Sequence, residues 1–152
     1  MTFRYSKAAA IGLLGCAAAF NAQAGEGNHH AALFVGITDS KIGMDETAGI
    51  EYEFRTPLWD RKIGIGLVAE RIMGDMDASI FVAGVVIHPW KDLKINVSAG
   101  QEQKKGNSYD VTRAGVGYDF HYNNISYGPV YNYDDIEGSV AHVVGLAVGV
   151  GF

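Results

Sequence analysis

The sequence predicts an all-β fold, an eight-stranded antiparallel up-and-down transmembrane β-barrel, on three observations. Short segments in which large apolar residues alternate with small or polar ones recur from about residue 31 to the last residue. No long stretch in that region has the periodicity of a helix, and glycine is abundant whereas proline is rare. Residues 141–152 form the clearest alternating segment, with bulky residues on one face and mostly glycine and alanine on the other. Such a strand suits a barrel wall that separates lipid from a narrow lumen.

The amino-terminal segment, residues 1–24, is typical of a secretory signal peptide. Arg4 and Lys7 precede an apolar run, and the segment ends in an Ala-x-Ala cleavage site at Ala24. Cleavage there leaves residues 25–152, which are predicted to form a single barrel domain.

The only cysteine, Cys16, lies in a Leu-Leu-Gly-Cys sequence that resembles the acylation site of bacterial lipoproteins, so its acylation is left open. If residues 1–24 are removed, the loss of Arg4 and Lys7 changes the formal net charge from −5 to −7. An acidic exported chain is not expected to bind nucleic acid. No cofactor is expected either.

Eight segments with a period of two are predicted to be strands. They cover residues 31–38, 47–56, 61–71, 79–88, 93–102, 109–122, 125–134 and 139–152. Both termini then lie at one end of the barrel. The connections after strands two, four and six are predicted to be short turns, whereas the other four are predicted to be longer loops, three of them acidic. Pro129 falls inside the seventh strand, where its missing N–H predicts a bulge.

Aromatic residues are predicted to form two girdles at the membrane interfaces. Trp59, Trp90, Phe120 and Tyr122 would lie at the end that carries the termini, and Tyr131 and Tyr133 at the other end. This placement fits short turns on one side of a membrane and loops on the other.

The inward face is predicted to carry charged side chains among glycines. They are Glu51, Glu53, Arg55, Lys62, Glu70, Lys94, Glu102, Arg113, Asp119 and His121. Because inward side chains just fill an eight-stranded barrel, these residues are predicted to pair with one another and plug the lumen. A narrow, gated polar path is the alternative.

Alternation alone does not decide whether the apolar face lies outside or inside. A soluble, lipocalin-like barrel has the opposite arrangement and encloses a ligand cavity. The chain has no Gly-x-Trp motif near residue 25 and no segment after the last strand for the helix of lipocalins. The membrane barrel is therefore the preferred interpretation.

A few residues also carry a family resemblance. The terminal Phe152, the Gly-Val-Gly-Tyr stretch that ends at Tyr118 and the Glu-Tyr-Glu stretch that starts at Glu51 resemble small eight-stranded outer-membrane barrels. These are the OmpA-transmembrane-domain, OmpX and opacity-protein-like group, including uncharacterised porin-like members. The resemblance implies a monomer in the outer membrane of a Gram-negative bacterium, in contact with lipids and lipopolysaccharide. It also implies insertion by the barrel-assembly machinery, which would recognise the carboxyl-terminal strand through Phe152.

Catalysis and metal binding are minor hypotheses. Lipid A-modifying barrels suggest a Ser–His–acid set made of Ser139, His142 and Glu137, but the spacing is ordinary for a loop, so no enzyme activity is expected. The adjacent histidines His29 and His30 could bind a metal. Carboxylates of the predicted loops could bind Ca²⁺ or Mg²⁺, although solvated loops are preferred. They are Asp39, Asp45, Glu46, Asp75, Asp77, Asp134, Asp135 and Glu137.

Overall fold

The structure, a computed structural model, describes residues 27–152 as a closed antiparallel barrel. The predicted signal peptide, its cleavage site and Cys16 lie outside the described residues. The strands are β1 (His29–Ser40), β2 (Gly43–Arg55), β3 (Ile63–Ile72), β4 (Ala78–Trp90), β5 (Leu93–Lys104), β6 (Asn107–Tyr118), β7 (Phe120–Tyr122), β8 (Ile125–Ile136) and β9 (Ser139–Gly151). β6 and β7 are two parts of one barrel strand, interrupted at Asp119. The predicted eight strands are therefore confirmed.

The last strand closes the barrel against the first. β1 pairs with β9 from His30 opposite Gly151 to Ser40 opposite Ala141, and β6 pairs with β8. The chain end extends this ladder, since the N–H of Phe152 donates to the carbonyl oxygen of His29 at 2.9 Å. No pair of neighbouring barrel strands is left unjoined, so the sheet has no free edge within residues 27–152. We call the end that carries the termini the terminal end, and the opposite end the acidic end.

Large apolar side chains cover the outside of the barrel. Most of these side chains are about half exposed, which places them on the outer surface and not in the interior of the protein. They include Val35, Ile37, Ile50, Ile65, Leu67, Phe81, Val85, Ile87, Val97, Val116, Tyr127, Val144, Leu146 and Val148. An apolar band of this extent marks a membrane-facing surface, so the strands span a bilayer. Within the described residues, no helix is long and apolar enough to cross a membrane.

A lysine in this band is expected to destabilise the barrel according to its depth. Leu146 lies near the middle of β9 and is 59% exposed. Leu146→Lys should lower the free energy of unfolding in lipid by about 2–4 kcal/mol, whereas Gln103→Lys, near the acidic end of β5, should cost at most about 1 kcal/mol. Chemical denaturation in lipid vesicles measures both. Equal losses would contradict the membrane assignment.

The prediction of short turns at the terminal end and longer loops at the acidic end is wrong. At the acidic end, three of the four connections are two-residue hairpin turns, and only residues 73–77 form a longer loop. The longest connection, residues 56–62, lies at the terminal end instead. Most of the polar residues that were interpreted as loops continue the strands instead. A tight turn then needs only two residues, as at Glu137 and Gly138, which both have positive φ.

The predicted bulge at Pro129 is also wrong. β8 keeps a single register with its neighbour strand on both sides of Pro129. The interruption lies in that neighbour, where the N–H of Asp119 donates to the carbonyl oxygen of Asp92 at 2.7 Å on its other side. A register shift occurs instead in β4 between Ile87 and Trp90, around Pro89.

Candidate functional site

Three charged side chains cross the middle of the lumen. Arg113 on β6 lies between Glu70 on β3 and Asp134 on β8, and each of their side chains is at most 2% exposed. The two terminal nitrogens of the guanidinium donate to the two Glu70 oxygens, both at 2.7 Å. Its Nε and one terminal nitrogen donate to the two Asp134 oxygens, also at 2.7 Å. Two bidentate pairs on one guanidinium satisfy the geometry that a buried charge needs. We call these three residues the central triad.

Small residues make room for these side chains. A Cβ on Gly49 would lie 2.7 Å from Cγ of Glu70, and one on Gly115 would collide with Asn132 and Asn96. Glycines on the inward face therefore allow long polar side chains to reach across a narrow barrel. The space that remains beside the central triad is a cavity of about 40 Å³, enough for about one or two water molecules.

A second polar layer lies between the central triad and the terminal end. Lys94 donates to Glu51 at 2.8 Å between two side chains that are at most 15% exposed. Nε2 of His88 lies 2.7 Å from Oε1 of Glu53, and Nε of Arg55 lies 3.4 Å from the same oxygen. This layer thus connects three strands, β2, β4 and β5.

The remaining predicted lumen residues lie nearer the two ends. Asp119 is buried at the break between β6 and β7 and is close enough to Lys94 for an electrostatic interaction. Lys62 was predicted to lie within the third strand, but it precedes β3 and is exposed at the terminal end. His121 is also near the surface, where its ring lies 3.2 Å from a carboxylate oxygen of Asp92. Glu102 is buried near the acidic end, and its Oε2 has no hydrogen-bond partner in the described chain.

The lumen is not polar throughout. At the acidic end an apolar layer crosses the interior above the central triad. Its buried members are Ile72, Met76, Ala78, Ile80, Val82, Val111, Ile136 and Ala141. A second apolar group, Phe34, Val130, Val143 and Ala147, lies on β1, β8 and β9. The apolar layer therefore covers the central triad on the side of the acidic end.

Sequence reasoning missed three inward polar residues that complete the network. Asp134 was predicted to be a solvated loop residue, but it is fully buried in the central triad. His88 was placed at the end of a strand without a role, and His30 was considered only for metal binding, whereas its Nε2 lies 2.7 Å from Oγ of Ser126. The period of two carries the signal, because Asp134 continues the inward series through Ser126 and Asn132.

The predicted catalytic set is not assembled. His142 faces outward, where its Nδ1 lies 2.8 Å from the hydroxyl of Tyr131 and its ring contacts Tyr133. Ser139 has the opposite parity on β9 and lies beside the mouth of the lumen. The carboxylate of Glu137 accepts a hydrogen bond from the backbone N–H of Asp110.

The candidate metal ligands are dispersed too. Among residues 27–152, no three His, Cys, Asp or Glu side chains are grouped so that they could hold a metal ion. His29 points outward to the hydroxyl of Tyr52 at 2.6 Å, whereas His30 points into the lumen. Consecutive strand residues face opposite sides, so these two rings do not share a ligand.

The girdle residues lie on the outside of the barrel. Trp59 and Trp90 are at least 70% exposed at the terminal end, together with Phe120 and Tyr122. Tyr131 and Tyr133 are 38–39% exposed on β8, nearer the acidic end. The ring of Phe152 stacks on His29 with 5.7 Å between centroids, so the terminal aromatic residue also belongs to the outer surface.

No protein-family model and no curated protein matches the chain. Solved structures do match it. The N-terminal β-barrel domain of Pseudomonas aeruginosa OprF is 15% identical with a TM-score of 0.55, over 83% of this chain and 98% of that one. Ail, the attachment invasion locus protein of Yersinia pestis, solved with the heparin analogue sucrose octasulfate, is 12% identical with a TM-score of 0.53. Neisserial surface protein A is 10% identical with a TM-score of 0.51, and each of these two alignments covers 82% of this chain and 96% of the other.

At identities this low the likeness concerns the fold alone. It agrees with the strand order, the closure between β1 and β9 and the apolar outer band described above. The chain therefore has the fold of the small eight-stranded outer-membrane β-barrels.

Proposed function

We propose that the protein is a closed, non-catalytic structural barrel of the outer membrane of a Gram-negative bacterium, with a lumen plugged by ion pairs. One observation carries this proposal: the central triad and the apolar layer cross the lumen in series. Arg113, Glu70 and Asp134 occupy its middle, and Ile80 and Val111 are among the side chains that fill it towards the acidic end.

Two different physical barriers oppose conduction in this arrangement. An ion that entered from the terminal end would have to displace a charge from a pair buried on both sides, and separating such a pair costs several kcal/mol. An ion that passed it would then have to shed its water in an apolar constriction. The cavity of about 40 Å³ lies between Arg113 and the second polar layer and is too small to connect the two ends.

The predicted Ser–His–acid set is not assembled within residues 27–152. The outward direction of His142, and its hydrogen bond to Tyr131, keep the imidazole away from Ser139. A general base must lie within hydrogen-bond reach of its nucleophile, so this set does not support hydrolysis of lipid A.

The outer surface and the last strand support the proposed membrane partners. The apolar band and its flanking aromatic residues suit lipid and lipopolysaccharide, and the strand that ends at Phe152 suits recognition by the barrel-assembly machinery. A barrel with no free edge has no strand left for pairing with a second copy, which supports a monomer. Fractionation that recovers the protein from the soluble periplasm would contradict this location.

Planar-bilayer recording tests the plug. The wild-type protein should give no stable conductance, and neither should Glu70→Ala/Arg113→Ala/Asp134→Ala, because the apolar layer remains after the three charges are removed. Removing all three charges together avoids an unpaired buried charge, so this variant is expected to fold.

A narrow, gated porin-like path is the second candidate, favoured by the polar side chains that run from the terminal end as far as Arg113. Stable wild-type conductance that increases in the triple variant would support this path and contradict the plug. Ile80→Ser serves as the second variant, since it places a hydroxyl in the apolar layer without changing any charge.

A further inference from the structure

A wide cavity of about 680 Å³ opens at the terminal end of the lumen. We call it the basic vestibule, because Arg55, Arg61, Lys62 and Lys91 line it together with His88 and His121. Among the lining side chains that belong to residues 27–152, Asp60 is the one carboxylate. This charge is opposite to that of the whole protein, whose formal net charge is −5, and to that of the acidic end.

Arg55 occupies the floor of the vestibule with an unsatisfied donor. Its Nε is buried and has no hydrogen-bond partner in the described chain. The nearest carboxylate oxygen, Oε1 of Glu53, lies 3.4 Å away and is already 2.7 Å from Nε2 of His88. The Arg55 side chain is nevertheless 24% exposed, so its guanidinium is accessible from the cavity. Because the side chain is partly exposed, an anion in the vestibule would accept hydrogen bonds from the accessible part of this guanidinium and offset its incomplete pairing.

Two carboxylates near the vestibule already have partners among its lining side chains. Glu53 is shared by His88 and Arg55, and Asp92 lies 3.2 Å from the ring of His121. Lys62 and Lys91 are exposed at the rim, and neither has an ion pair within 4.0 Å of a carboxylate in the described chain. The rim of the vestibule therefore carries two lysines without a carboxylate partner in the described chain.

We propose that the basic vestibule binds a small molecule that carries two or more oxyanion groups, either phosphates or carboxylates. One group would accept hydrogen bonds from Arg55, whose planar guanidinium matches both kinds of oxyanion. The others would lie between Lys62 and Lys91, which act as flexible point charges. The size of the cavity suits a small organic polyanion rather than a single halide ion.

Calorimetric titration of the purified, detergent-folded protein at low salt tests this site. The probes are pyrophosphate, for phosphates, and propane-1,2,3-tricarboxylate, for carboxylates. At least one should bind with a Kd below about 1 mM. Lys62→Gln/Lys91→Gln should weaken binding about tenfold or more, and Arg55→Gln should do so as well. Lys41→Gln/Lys104→Gln is the matched control, because it removes the same charge at the opposite end and should change the affinity less than about twofold.

Binding of pyrophosphate alone identifies a phosphate-bearing ligand, and binding of the tricarboxylate alone identifies a carboxylate-bearing one. Failure of both probes to bind overturns the site. So does an equal loss in the two double-lysine variants, because it would show attraction by overall charge only. Retention of the folded gel mobility by every variant separates loss of binding from loss of the barrel.

Discussion

Replacing Arg113 with alanine is expected to lower the free energy of unfolding by about 3–5 kcal/mol. The change leaves Glu70 and Asp134 buried at 0% side-chain exposure without the donor that neutralises them. Four hydrogen bonds of 2.7 Å are lost at once. Urea denaturation in detergent, followed by the fluorescence of Trp59 and Trp90, measures the loss.

Arg71→Ala provides the matched control. Arg71 also pairs with a carboxylate, that of Asp77, but both side chains are more than half exposed, so the change should cost at most about 1 kcal/mol. The variant Glu70→Gln/Arg113→Met/Asp134→Asn should recover much of the stability lost in Arg113→Ala, because no buried charge remains. A loss of less than about 1 kcal/mol in Arg113→Ala would show that the central triad is hydrated, which the structure contradicts.

Ala147→Trp is expected to destabilise the barrel by about 3 kcal/mol or more, at the upper end of overpacking effects. Ala147 is 3% exposed on the inner face of β9 and lies in one cluster with Phe34, Val130 and Val143. An indole needs a volume that the narrow lumen does not provide, so the strand would have to shift or the barrel fail to close. The fraction of protein with folded mobility on an unheated gel reports closure, and urea denaturation gives the free energy.

Val148→Trp is the neighbouring control on the same strand. Val148 is 54% exposed on the outer face, next to Tyr127 and Leu33 in the adjacent strands. An indole at this position would lie among lipid chains and should change stability by less than about 1 kcal/mol. Similar losses in both variants would mean that the inner and outer faces are assigned the wrong way round.

The fold could be predicted from the sequence because alternation is a local property. Residues 141–152 alone define two faces, and the same period in the other segments gives the number of strands. The connections could not be predicted in the same way. Asp45, Glu46 and Asp134 are polar enough for loops, but each is paired with a residue of a neighbouring strand. Polarity at a strand end marks the membrane boundary as readily as it marks a turn.

The lumen site was only partly predictable, because pairing depends on which strands face each other across the barrel. Alternation identifies Glu70 and Arg113 as inward residues, but they lie on β3 and β6 and are 43 positions apart. Their meeting depends on strand tilt and stagger, which are properties of the closed barrel. The inward position of Asp134, by contrast, was available from the period of β8 and was missed because its acidic neighbours indicated a loop.

Were the acidic end to face the outside of a cell, its two-residue turns would limit what could reach the protein. The turns between β1 and β2, β5 and β6, and β8 and β9 expose little more than the tips of paired strands. In an outer membrane, the sugar chains of lipopolysaccharide extend beyond tips of this kind. An antibody or a phage fibre would find almost no protein epitope above the headgroups, whereas a small solute would still reach the mouth of the barrel. In that orientation, the surrounding lipopolysaccharide would shield the barrel from large molecules.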